Sequence, residues 1–145
     1  MSYDLKPRNK NIEEISINAF RWPIILQETG MGYLLGYGRD IQPSKYIYLP
    51  RKKASPVSND GFKVSSFEAK AMAQITRGYI SVKKLINKQY ESMTEIEKNE
   101  ILSAKYYGEK GLVQNLYEHP VDESFIKSLE IFADFAEKSQ GFEIH

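Results

Sequence analysis

Two capping boxes set the frame of this chain. Ser65-x-x-Glu68 and Thr94-x-x-Glu97 each place a hydroxyl and a carboxylate three residues apart. Each side chain can then satisfy a backbone amide that the first helical turn leaves without a partner. The first box opens the longest helical pattern, Ser66 to about Ser92. Met72, Ile75, Tyr79, Val82, Ile86 and Tyr90 recur at three- and four-residue spacing and predict its apolar stripe. Lys70, Gln74, Arg77, Ser81, Lys84 and Lys88 follow the same spacing on another face. Gly78 sits inside this pattern, where glycine costs roughly 1 kcal/mol relative to alanine. The close approach of another element would account for it. The second box opens a shorter, more exposed helix reaching about Tyr107.

A third helix closes the chain. Asp122 caps it, and Glu123 suits its positive N-terminal end. Phe125, Ile126, Leu129, Phe132, Ala133 and Ala136 form its stripe. Gly141 stops it, and Phe142 is expected to pack back over the last turn.

The N-terminal half reads as extended structure around one helix. Residues 1–11 are polar, contain Pro7, and suggest an arm or short edge segment. Ile12–Ile17 is a strand candidate through Ile15 and Ile17. A helix then starts either at Ala19, with Asn18 as its cap, or at Pro23, and ends at Gly30. Phe20, Trp22, Ile24, Ile25 and Leu26 supply core bulk. Met31–Gly38 reads as a strand bent by glycines, and Lys45–Leu49 alternates as a second strand. A hairpin across Arg39–Ser44 would join them. Arg51–Gly61 reads as loop, with a turn signal at Asn59-Asp60-Gly61, and Phe62–Val64 as a short strand. The expectation is one α+β domain spanning residues 1–145. A small antiparallel sheet from the N-terminal half would pack against the long central helix and the C-terminal helix.

Several chemistries find no support. The chain has no cysteine, so disulfides, thiolate zinc sites and a cysteine nucleophile are excluded. No run approaches the ~18 apolar residues of a membrane helix, and no apolar segment of a secretory signal is visible, so a cytoplasmic protein is expected. Gly30, Gly32, Gly36 and Gly38 do not form a phosphate loop. They follow a helix instead of preceding one, and no Gly-Lys-Ser/Thr comes after them. Of the two histidines, His119 precedes a proline in an apparent surface loop and His145 is the final residue, and no Gly-x-Ser-x-Gly elbow positions a serine. Carboxylates at Glu95, Glu97, Glu100, Glu130 and Glu137 fall beside lysines on helix faces. Asp134, between Phe132 and Phe135, is the one with a possible buried or binding role. No catalytic residue, cofactor or metal is expected.

Charge is unevenly spread. Lys45–Lys84 holds nine basic residues against Asp60 and Glu68, a net +7. Glu118–His145 holds seven acids against Lys127 and Lys138, a net −5. Solvated surfaces, a face for an anionic partner, and basic and acidic segments meeting in a dimer all fit. The strongest binding pattern is aromatic and basic together. Tyr33, Tyr37, Tyr46 and Tyr48 would line one sheet, ringed by Arg39, Lys45, Arg51, Lys52 and Lys53, with Arg77 and Lys84 on an adjoining helical wall. A total charge of +1 argues against extended nucleic acid and for a small anionic, nucleotide-like ligand. The expected protein is a non-catalytic binder and homo-oligomer. The alternatives are a protein-interaction module acting on a partner protein, and an enzyme acting on nucleotides.

The opening Tyr3-Asp4-Leu5-Lys6-Pro7-Arg8-Asn9-Lys10, with Ala19-Phe20-Arg21-Trp22-Pro23 and Phe132-Ala133-Asp134-Phe135-Ala136, resembles uncharacterised small proteins carried by bacteria and their phages. The resemblance touches residues 1–50 and the last helix. It brings no established activity and no catalytic residues. It implies a context in which small cytoplasmic proteins act by binding, some of them as oligomeric counter-defence sponges for nucleotide signals. No motif ties the chain to a named sponge family.

Overall fold

The computed structural model describes residues 1–36, 55–104 and 119–145, and for residues 101–104 the backbone only. Two compact units emerge, one formed by Met1–Arg77 with Leu129–His145, the other by Gly78–Ser128.

The first unit is built on a four-stranded antiparallel sheet. Strands β1 (Ser2–Pro7), β2 (Ile15–Asn18), β3 (Phe62–Val64) and β4 (Phe142–Ile144) lie in the order β2-β1-β4-β3. Period-two alternation dictates the two faces. Tyr3, Leu5, Ile17, Phe62, Val64, Phe142 and Ile144 are buried, while Lys6, Ser16 and Lys63 are exposed. One face is therefore packed and the other solvated, as antiparallel sheets permit. The register pairs Tyr3 with Ile17 and Leu5 with Ile15 on one side of β1, and Leu5 with Ile144 on the other.

Three helices cover the packed face in this unit. α1 (Arg21–Thr29) buries Trp22, Ile25 and Leu26. Pro23 falls in its first turn, where its missing N–H costs no helical bond. Gly30 ends α1 at φ 79°, its amide donating to the Gln27 carbonyl. From α3 (Ser66–Glu91) this unit takes Ala69, Met72, Ala73 and Thr76, all buried. From α5 (Glu123–Lys138) it takes Leu129, Phe132, Ala133, Phe135 and Ala136, also buried. Phe132 is the hub of an aromatic cluster. Its ring centroid lies 5.4 Å from Trp22 and 6.2 Å from Phe142, which in turn lies 5.3 Å from Phe135. Tilted and edge-on geometries of this kind add roughly 0.5–1.5 kcal/mol per pair beyond burial. The α+β class expected from the sequence is the observed one.

In the second unit, Tyr79 and Phe125 meet edge-on at 6.5 Å. Asn87 grips the chain before α5 from both sides, donating to the Val121 carbonyl at 2.7 Å and accepting from the Val121 amide at 3.0 Å. α4 (Glu95–Ala104) follows α3 through the second capping box, where the Glu97 amide donates to Thr94 Oγ1 at 3.3 Å. The first box is also formed. The Glu68 amide donates to Ser65 Oγ at 3.1 Å, and the Ser65 amide to Glu68 Oε1 at 3.0 Å.

Several expectations need correction. Residues 2–7 are not an arm but an inner strand, because Tyr3 and Leu5 alternate with polar residues and Pro7 stands at the strand end, where it removes no interior ladder bond. Asn18 is not the helix cap. Its Oδ1 accepts from the Phe20 amide at 2.8 Å, one position too early. Met31–Leu34 is a short helix, α2, instead of a strand, since Met31 and Leu35 are buried four residues apart. On α3 the core side is Ala69, Met72, Ala73, Thr76, Ile80 and Lys83, so Ile75 and Val82 of the expected stripe are exposed. Phe142 does pack back over the last turn of α5, its ring against Phe135 and Phe132, but it does so as the first residue of a strand, β4. A Cβ on Gly78 would meet nothing within 4 Å among the described residues, so no approach by any of them explains it.

Gly141 is required where it stands. Its φ is 94°, and a Cβ there would lie 2.8 Å from the Val64 carbonyl oxygen and 3.1 Å from the Ser66 nitrogen. Gly141→Ala is expected to cost more than the ~1–3 kcal/mol of a strained backbone alone, because the obstruction is backbone that cannot swing aside. Urea unfolding monitored by circular dichroism checks this. An unchanged midpoint would refute it.

Candidate functional site

The surface expected to bind an anion is partly on view. Tyr37, Arg39, Lys45, Tyr46, Tyr48, Arg51, Lys52 and Lys53 lie outside the described residues, as do the Lys45–Leu49 strand and the Arg39–Ser44 hairpin loop. Tyr33 is exposed, but on α2 and not on a sheet. Lys84 is exposed on the part of α3 that belongs to the second unit. Arg77, in the first unit, is held by α5: one guanidinium nitrogen lies 2.9 Å from Asp134 and 2.8 Å from Glu137. Asp134 is thus a surface carboxylate, its side chain 68% exposed, and not a buried group.

Positions 37–54 are flanked by residues built into the first unit. On one side Leu35 is buried. On the other, the Trp22 indole donates to the Pro56 carbonyl at 2.9 Å, and the Tyr3 hydroxyl donates to the Val57 carbonyl at 2.7 Å. Trp22 is fully buried and Tyr3 nearly so; the Trp22 bond forms away from water, and the Tyr3 bond is part-buried. A buried carbonyl left without its donor costs about 1–3 kcal/mol, which makes both aromatic donors fixed anchors for the chain leaving position 54.

The solvated sheet face carries a cluster that sequence reasoning passed over. Glu143 on β4 stands directly between Lys6 on β1 and Lys63 on β3. His145 approaches it from two residues on, with Nε2 3.0 Å from Glu143 Oε2. An ionised carboxylate only accepts, so this nitrogen carries the proton and donates. The imidazole rests against Gly61, whose added Cβ would come within 3.3 Å of the ring. The Glu143 carboxyl is held below its ordinary value of 4.5, first by the His145 hydrogen bond, with Lys63, His145 and Arg8 adding charge attraction against a burial effect. The alternation Phe142-Glu143-Ile144-His145 was the available signal, and it was hidden by reading Phe142 as a helix ending.

These contacts settle part of the charge asymmetry. Acids near the C-terminus meet cations of the basic middle inside one chain, at Arg77 with Asp134 and Glu137 and at Lys63 beside Glu143. They are exposed groups, so each pair contributes only ~0.2–1 kcal/mol.

In the second unit Lys83 is 3% exposed. Its ammonium donates to the His119 carbonyl at 2.9 Å and lies 5.6 Å from the centre of the Tyr79 ring. His119 is therefore not a plain surface residue. Nδ1 lies 2.9 Å from the Pro120 carbonyl, and Nε2 is buried without a hydrogen-bond partner among the described residues. Among the described residues, no three His, Asp or Glu side chains gather as a metal site, and no helix is long and apolar enough to cross a membrane.

Comparison with protein-family models, with curated proteins and with solved structures returned no match.

Glu143→Gln tests the sheet-face cluster. A carboxyl whose pKa is lowered by folding adds stability above its unfolded value and loses it as pH falls through the folded value. The variant is expected to be less stable than the parent at neutral pH by under about 1 kcal/mol, given screening at an exposed site. The difference should vanish as pH drops below 4.5 through the lowered range of Glu143. Urea midpoints compared across that interval check it, and a pH-independent difference would contradict it.

Proposed function

We propose that this protein is a non-catalytic binder of a small anionic, nucleotide-like ligand and works as a homo-oligomer. One observation carries the reading. Positions 37–54 hold Tyr37, Tyr46 and Tyr48 with Arg39, Lys45, Arg51, Lys52 and Lys53 against the single acid Asp40, and both flanks of this sequence are anchored in the first unit.

The charge contacts narrow the reading. Arg77 engages two carboxylates and Lys63 borders Glu143, so these cations are already matched. The ligand cations are therefore assigned to Arg39, Arg51, Lys52 and Lys53. Tyrosine rings stack bases at roughly 1–3 kcal/mol each, and a few cations suffice for a small phosphate ester. Exposed Tyr33 lies four residues before Tyr37 and extends the aromatic series. A nucleotide-trapping role in counter-defence would fit the context that the resemblance to small phage-borne proteins implies.

Isothermal calorimetry against a panel of mono-, di- and cyclic nucleotides tests this. Arg51→Ala and Lys52→Ala are each expected to weaken binding about tenfold, the equivalent of 1.4 kcal/mol. Arg77→Ala should leave affinity unchanged. Binding to no member of the panel would sink the proposal.

A further inference from the structure

Helix α3 carries two apolar faces. The core side holds Ala69, Met72, Ala73, Thr76, Ile80 and Lys83. At about 100° per residue, the opposite side holds Ala71, Ile75, Gly78, Val82 and Leu85, in alternating steps of four and three residues. Ile75 and Val82 are partly exposed and Leu85 is 70% exposed, with Phe67 exposed one step earlier at 76%. A 3.5-residue apolar period keeps a seam turned toward a partner helix. Gly78 sits at the middle of this seam, at a cost to the helix that no described neighbour explains.

We propose that a second copy of this chain lies on this seam, its α3 antiparallel to the first and crossing it at Gly78. The pattern is self-complementary about that residue. Ala71 and Leu85 are each seven positions away, so a twofold axis at Gly78 sets the small side chain of one copy against the large one of the other. The glycines then let the two backbones approach at the crossing.

Charge selects the same face. α3 is basic, with Lys70, Arg77, Lys83, Lys84 and Lys88 against Glu68 and Glu91. Two copies repel except where charge is absent. The seam and its neighbours Gln74 and Gln89 carry none. An acidic partner would instead seek the lysine face. One helix face is smaller than the ~800 Å² per partner of a standard interface, so association is weak and depends on concentration.

The inference rests on the oligomeric half of the proposed function and not on the ligand, so it is tested on ligand-free protein. Sedimentation velocity over a concentration series is expected to show a monomer–dimer equilibrium. Leu85→Glu should raise the dimer dissociation constant about tenfold or more, with an unchanged circular dichroism spectrum. The chain has no cysteine, so Gly78→Cys gives a single reporter. It should form a disulfide-linked dimer on mild oxidation, while Lys70→Cys should not, since the bond needs Cα atoms within about 7 Å. A dimer that ignores Leu85→Glu, or that cross-links equally at both cysteines, overturns the seam and leaves the oligomer standing. A monomer at every concentration overturns both, and nucleotide calorimetry then judges ligand binding by itself.

Discussion

The first unit depends on a strand of three residues that arrives last. β4 enters the sheet between β1 and β3, so the opening and the middle of the chain become neighbours only through its end. The turn from α5 into β4 makes this possible. Gly141 passes against the Val64 carbonyl and the start of α3 at distances that no side chain could accept. Ser139 Oγ donates to the Ala136 carbonyl and receives the Gly141 amide, and Gln140 takes a positive φ. Just beyond β1, Asn9 donates its amide to the Ser139 carbonyl and its side chain to the Lys138 carbonyl, satisfying groups that the helix end leaves open. Sheet closure and helix termination are one local problem, solved by residues from both ends of the sequence.

The same closure arranges charge and core. With β4 in place, Phe142 joins Phe132, Phe135 and, through Phe132, Trp22. Trp22 then spends its indole N–H on Pro56, so the aromatic core also fixes the chain that follows positions 37–54. On the solvated side, Glu143 falls between Lys6 and Lys63. The acidic end of the chain thus meets basic residues within one molecule, which narrows any anion-binding role to cations that no carboxylate already holds.

Legibility followed distance along the chain. Both capping boxes, the left-handed glycine after α1 and the bounds of α3 rest on bonds between residues a few positions apart, and they appear where the spacing puts them. The stripe of α3 did not. Its Ile75 and Val82 are partly exposed, and small Ala69 and Ala73 face the core beside Met72, because the packing partner decides which of two apolar faces is buried. The cluster at Glu143 and His145 was equally hidden, since its lysines come from strands 57 or more residues apart in sequence, Lys6 and Lys63. Of the proposed binding residues, Tyr33 and Lys84 are exposed and Arg77 is tied to α5, while the others fall outside the described residues.

By itself the sequence determined where α1 ends, where α3, α4 and α5 begin, the α+β class, and the absence of any thiol chemistry, because propensity, capping and composition act locally. Tertiary structure decided that residues 2–7 form an inner strand, that the C-terminal residues close the sheet, and that Arg77 answers Asp134 and Glu137. Each of these joins groups far apart in the chain. Such pairing is set by complementary packing and backbone hydrogen bonding across the fold, which no local pattern encodes.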